Sequence, residues 1–292
     1  MNVIWYSIKS IFFALIVAYI SLVATLLSHT VAMFFGLGQP DHTNFIESLK
    51  GVLPFFLVTA VIAIVIGELF KKLQQSNVER FFCIFLYHYY FFYGLKMLEA
   101  FLSGHDLMLG YELITQILPA VSFSFLVTVL WKPKIKGKPF IEQLRYYFRN
   151  TSFQRWAMKF LIGWLIFLPV CYLTNWLISP FIEPFDVSFT YPISNRLSIK
   201  LISGLLFVIT ILPIFIRWNE SKTSILFWIG FPIFLQIAVY PAVVEFWLPM
   251  TVRFPNLIQY TVISFVMSIF FVQLFYVLRD DEVIDDQFKW MY

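Results

Sequence analysis

Long apolar runs, broken by short clusters of charge, proline and glycine, set the pattern of this chain. Eight runs approach the roughly 20 residues that a helix needs to cross a bilayer. They cover 11–36, 51–70, 81–102, 112–131, 160–179, 201–217, 224–247 and 257–278. Within a run, apolar residues occupy every face. The stretch Val58-Thr59-Ala60-Val61-Ile62-Ala63-Ile64-Val65-Ile66 has none of the alternation that a membrane β-strand requires. Lipid offers no partners to backbone groups, and helices satisfy their own. The pattern therefore predicts an all-α integral membrane protein with eight transmembrane helices.

Composition supports this. Hydrophobic residues make up 60% of the chain and charged residues 13%, with a mean hydropathy of +0.79. A soluble domain carries about 25% charged residues. The net charge of +4 matters through its placement. With a cytoplasmic N-terminus, Lys50, Arg196, Lys200 and Arg253 fall outside and Lys96 falls within the third run. All the other Lys and Arg fall inside. This is a positive-inside bias, so both termini are expected in the cytoplasm of a cell-membrane protein. The basic excess does not point to nucleic acid. Cys83 and Cys171 both lie in apolar runs, which gives no disulfide framework. The first run is too long for a signal-peptide core and reads as an anchor.

The longest interruption, 132–159, divides the chain into halves of four runs each, 1–131 and 160–279, with an acidic tail at 280–292. The interruption opens with Lys132, Lys134, Lys136 and Lys138 among prolines and a glycine. It continues with Phe140, Ile141, Leu144, Tyr147 and Phe148 at helical spacing, while Arg145 and Arg149 take another face. That predicts an amphipathic helix on the inner leaflet, with anionic lipid or a cytoplasmic protein as partner. The halves share faint echoes. Ser48-Leu49-Lys50 matches Ser198-Ile199-Lys200, Glu99 matches Glu245, and Val121-Ser122-Phe123 matches Ile263-Ser264-Phe265. Two four-span repeats would enter the membrane from the same side, related by an axis along its normal.

Charge in hydrocarbon costs about 2.5–3.5 kcal/mol on insertion scales. Lys96 and Glu99 share a helix face and can pair, and Glu245 takes the matching place in the second half. These three are the candidates for handling protons or a charged substrate. Gln236 and Tyr240 lie between Pro232 and Pro241, as in a discontinuous helix at a transport site. Asn175 and Gln273 are further candidates for buried hydrogen bonding. Tyr87 and Tyr90 suggest an inner aromatic belt, and His88 reads as a hydrogen-bonded packing residue. His29 and His88 lie at different depths and no His follows His105, which argues against paired haem or metal sites.

No phosphate-cradling loop, His-Glu-x-x-His or Gly-x-Ser-x-Gly is present, and no cofactor is implied. The sequons at Asn150 and Asn219 fall on the expected inner side, where glycosylation does not occur. The expectation is a transporter or flippase of a small or lipid-like solute, with proton coupling. The alternatives are a non-catalytic subunit docking a partner through 132–159 and, last, a lipid-modifying enzyme.

Overall fold

The computed structural model describes residues 3–37, 45–73, 75–94, 106–133, 139–149, 152–181, 193–245 and 249–277. Among these the chain is helical throughout. The α-helices are α1 (Val3–Phe34), α2 (Phe45–Lys72), α3 (Asn77–Tyr89), α4 (Asp106–Leu130), α5 (Phe140–Arg149), α6 (Phe153–Leu165), α7 (Phe167–Ile178), α8 (Ile193–Arg217), α9 (Lys222–Phe234), α10 (Tyr240–Val244) and α11 (Met250–Phe275). Seven segments are long and apolar enough to cross a membrane: Ile4–Phe34, Gly51–Lys72, Leu113–Leu130, Phe153–Ile178, Leu197–Arg217, Lys222–Val244 and Met250–Phe275. This is an integral membrane protein, many of whose large apolar side chains, such as Phe12, Phe125 and Trp176, face outward to lipid. The run expected to form a third span is not among these seven; its described part is α3 running into a π-helical segment, Tyr90–Gly94. Its remainder, with Lys96 and Glu99, lies outside the described residues.

Local chemistry explains where the helices begin and break. Ser76 accepts the Glu79 N–H and Glu79 reaches back to the Ser76 N–H, which is a capping box that starts α3. Ser152 and Ser221 cap α6 and α9 in the simpler way. Pro169 has no N–H to give to the Leu165 carbonyl, and the segment Phe153–Ile178 breaks there, between α6 and α7. In the segment Lys222–Val244, Pro241 leaves the Ile237 carbonyl without its usual donor. The chain widens into a π segment, Leu235–Val239, just before it.

The first half packs α1 against α2 and α4, and α3 against α4. The second half packs α6–α7 against α8 and α11, and α9 against α11. Small residues let helices approach closely. Gly67 lies under the Trp131 ring, where a Cβ would sit 2.5 Å from a ring carbon. At Gly204, a Cβ would fall 2.8 Å from the Trp164 carbonyl oxygen. The halves meet along a seam. There α2 packs on α9, its π segment and α10, while α3 and its π segment pack on α8 and the two π segments touch. The seam is aromatic: Phe91 lies 4.9 Å from Phe207, and Phe207 lies 5.1 Å from Phe271, centroid to centroid. Tyr87 and Tyr90 are buried in this seam and not arrayed at a lipid interface as an aromatic belt requires. The Tyr90 hydroxyl donates to the Ser203 carbonyl at 2.6 Å, which satisfies it without water.

Candidate functional site at the seam between the halves

Polar side chains are scarce in the bundle, and those at the seam come from both halves. Near its middle, His88 Nδ1 lies 3.0 Å from Gln236 Oε1, so His88 donates there as its Nδ1–H tautomer. The imidazole stacks on Phe123 with centroids 3.8 Å apart, and Gln236 Nε2 donates to the Pro232 carbonyl at 3.2 Å. Pro232 lies within α9, and Gln236 belongs to the π segment that follows. Both residues are buried, so the pair joins the halves where no water competes. His88 is thus the hydrogen-bonded packing residue that its surroundings predict. Elsewhere in the bundle, the hydroxyls of Thr59, Tyr87 and Thr210 are buried and make no hydrogen bond.

The seam is closed at its basic end, where α2 and α8 finish and α3 and α9 begin. Lys72, the last residue of α2, meets Glu220, just ahead of α9, at 2.6 Å. Arg217, the last residue of α8, meets Glu79, in the first turn of α3, at 2.7 Å. Each bridge ties the second helix of one half to the entry of the third helix in the other. Each cation also lies over an aromatic ring: Lys72 is 5.4 Å from the Trp228 centroid and Arg217 is 5.5 Å from that of Phe140. The Phe140 N–H donates to Glu79 Oε1 at 3.1 Å, so the start of α5 joins the second bridge.

A further polar cluster lies within the first half at the same end. Glu68 accepts from the Tyr6 hydroxyl, from Trp131 Nε1 at 3.1 Å and from Ser10 Oγ at 3.5 Å. Lys71 stands 3.7 Å from the other Glu68 oxygen and donates to Tyr6. The start of α1 and the ends of α2 and α4 are thereby fastened around one carboxylate.

The residues singled out from the sequence are distributed differently. Gln236 and Tyr240 are at the seam, with the Tyr240 ring 4.0 Å from that of Phe92. Glu245 is half-buried at the opposite end. It lines a shallow recess with Arg253, Asn256 and Tyr260 from α11. A basic residue therefore shares its surroundings, although none lies in its own span. Asn175 is exposed on the outer side of α7, so it is not the buried hydrogen-bonding group expected. Likewise Gln273 is exposed and accepts from Lys222 at 2.7 Å. In both cases helical phase, which long apolar runs conceal, turns the side chain outward.

The predicted amphipathic helix is present as α5. Arg145, Arg149 and Ile141 are exposed, and Lys132 is exposed ahead of it, while Lys134, Lys136 and Lys138 lie outside the described residues. Tyr147 faces the bundle, and its hydroxyl donates to the Phe275 carbonyl at 2.5 Å. Burial raises the pKa of this phenol above its ordinary value.

Sequence reasoning passed over the ion pairs. The Ser76-to-Glu79 spacing announces a capping box, and Glu68 and Lys71 stand three apart on one helix. Nothing in the sequence announces which carboxylate Arg217 meets. Among the described residues, no group of three or more His, Cys, Asp and Glu side chains is placed to hold a metal ion. No family model matches the chain, no curated protein matches it, and no solved structure matches it.

Proposed function

We propose that the chain is a carrier for a small or lipid-like solute, working by movement of two parallel four-span repeats about their common seam. In this reading α3 and its π segment belong to an eighth span, both termini are cytoplasmic, and the basic end faces the cytoplasm of a cell membrane. The observation that carries it is the reciprocal closure of that end, by Lys72–Glu220 and Arg217–Glu79. Ion pairs that join moving bodies are discrete and breakable, unlike an interdigitated apolar core.

The repeat has support of its own. α3 and α9 each start at a capping serine, run for 13 residues and pass into a π segment of 5. Helix neighbours recur in the same order within the two halves, and the contact of α2 with α9 is mirrored by that of α8 with α3. A two-fold axis along the membrane normal produces this reciprocity, and transport sites lie at such repeat interfaces. Glu245, with Glu99 in the matching place of the first half, would carry the coupled proton at the outer end.

The test uses Cys83, which is half-buried one turn beyond Glu79. With Cys171→Ser removing the other thiol, the full-length protein in vesicles is treated from the basic side with a membrane-impermeant maleimide. A seam that opens labels Cys83, and Glu79→Gln accelerates the labelling. Glu245→Gln lowers proton-coupled solute flux at unchanged abundance. A labelling rate indifferent to Glu79→Gln, together with an absence of flux, counts against a carrier. The exposed face of α5 favours a second reading, a membrane subunit that docks a cytoplasmic protein or anionic lipid. That reading expects neutralising Lys132, Arg145 and Arg149 to abolish function while Glu79→Gln is tolerated.

A further inference from the structure

Among the described residues, one fully buried cation at the basic end has no counter-charge. Lys72 and Arg217 each have a carboxylate, but Arg80, beside Glu79 in the first turn of α3, has none among the described residues. Its side chain has no exposure at all. Nη2 donates to Asn77 Oδ1 at 3.1 Å and to the Thr128 carbonyl, whereas Nε and Nη1 donate to nothing. The contact with Thr128 has a structural account: an Arg satisfies a carbonyl at the end of α4, where the helix dipole is negative. That account leaves the other two donor groups unexplained. An unpaired buried charge costs several kcal/mol.

The residue on the other side of this contact is also incomplete. In α4, Thr115, Ser122 and Ser124 each return their hydroxyl hydrogen to the carbonyl four residues back, at 2.9, 2.9 and 2.7 Å. That is the ordinary resting place of a hydroxyl in a membrane helix. Thr128 is buried like Thr115 and Ser124, yet its hydroxyl has no partner. Two nitrogens of one guanidinium and a hydroxyl therefore stand at one contact, each able to donate and none with an acceptor. A cation would be repelled there, and an apolar group would leave the donors unsatisfied. An oxyanion supplies acceptors for all of them and the missing negative charge.

We propose that Arg80 and Thr128 form a recognition site for an oxyanion, the carboxylate or phosphate of the carried solute. The site is sealed here and is uncovered when α3 parts from α8 as the Glu79–Arg217 pair opens. The route of access rests on the carrier reading; the chemistry of the site does not. At the basic end of α3 and α4, the anion can be a lipid headgroup or a free oxyanion, and both present the same oxygens to a guanidinium.

The experiment measures the thermal unfolding midpoint of the full-length protein in uncharged detergent. It is titrated with inorganic phosphate, acetate or dihexanoyl phosphatidate, against chloride at matched ionic strength. We expect a saturable rise with at least one oxyanion over the chloride control. A response to phosphatidate alone assigns a headgroup, and a response to phosphate or acetate assigns a free solute. Arg80→Gln should weaken binding by roughly tenfold or more, the worth of charge-assisted hydrogen bonds. Thr128→Val should weaken it by less, and exposed Arg155→Gln should leave it unchanged. If Arg80→Gln does not fold, Arg80→Lys, which keeps the charge and loses the planar fork, takes its place beside Thr128→Val. A midpoint that no oxyanion moves beyond chloride overturns the site, leaving the donors to bound water. So does a rise that survives undiminished in the Arg80 and Thr128 variants. Oxyanion binding without vesicle flux would remove the carrier and leave the site standing.

Discussion

The two bridges at the basic end each join the last residue of one helix to the entry of another but differ in their surroundings. Arg217 is wholly enclosed and its partner Glu79 is 31% exposed, whereas Lys72 and Glu220 are 31% and 41% exposed. Arg217 packs over Phe140, and Glu79 also takes the backbone N–H that starts α5 and the N–H of Ser76. Glu220 has the Ser224 hydroxyl at 2.7 Å, on a surface open to solvent. One topology has thus produced a buried clasp on one side and a solvated contact on the other. Desolvation makes a buried charge depend on its partner, while a wet pair loses little when parted.

The comparison is broken most severely at Arg217. Arg217→Gln leaves Glu79 without its cation beneath α5, and should destabilise the protein by about 3–5 kcal/mol. Unfolding in mixed micelles of increasing SDS content measures this. Adding Glu79→Gln should restore part of the loss, because the stranded charge is then removed. A loss unchanged in the double variant would assign the effect to the packing of the long Arg side chain.

Deeper in the seam, Gln236→Leu leaves the buried His88 ring nitrogen without its acceptor. An unsatisfied buried donor costs about 1–3 kcal/mol. The second substitution, His88→Phe, removes the stranded group and keeps an aromatic ring on Phe123, so the pair of changes should be milder than Gln236→Leu alone. The same unfolding assay reads the cycle. A similar cost for all three proteins would mean that the hydrogen bond across the halves contributes little.

How much of this was legible beforehand follows from what each feature depends on. The apolar spans and the amphipathic α5 depend on local composition and period, and residues such as Val58 to Ile66 or Phe140 to Phe148 display both. The rotation of a helix about its axis is another matter. When every face is apolar, the moment that would aim a helix vanishes, so Asn175 and Gln273 looked buried and are exposed. Partner choice is equally hidden. Glu79 and Arg217 are far apart in sequence, and only the meeting of α3 with α8 brings them together. Prolines were better guides: Pro169 and Pro241 stand where the helices break or widen, because a missing N–H acts locally.

The caps offer a finer comparison of the halves. Ser76 and Ser221 both accept an N–H at 3.3 Å, but only Ser76 is answered by a carboxylate in a capping box. Ser76→Ala should cost about 1 kcal/mol, within the usual range for a cap. It should also loosen Glu79, raising the Cys83 labelling rate. Ser221→Ala should cost a comparable or smaller amount and leave Cys83 labelling alone. Equal labelling in the two variants would detach the cap from the clasp.

The smallest effect is expected at Lys72, and it probes the cause assigned to the difference. Lys72→Gln removes a bridge 2.6 Å long, shorter than that of Arg217, so distance alone would rank it the stronger. Exposure reverses the ranking. Water already solvates both ends, the Lys side chain regains rotamer freedom when released, and Glu220 keeps the Ser224 hydroxyl and solvent. The change should lie within about 1 kcal/mol. It should shrink further in 1 M salt, where the Debye length is about 3 Å. Arg217→Gln should keep more of its cost in the same salt, since the Arg217 end of that pair is fully enclosed. If salt diminished both variants alike, burial would not separate the clasp from the contact, and the halves would be held equally loosely at this end.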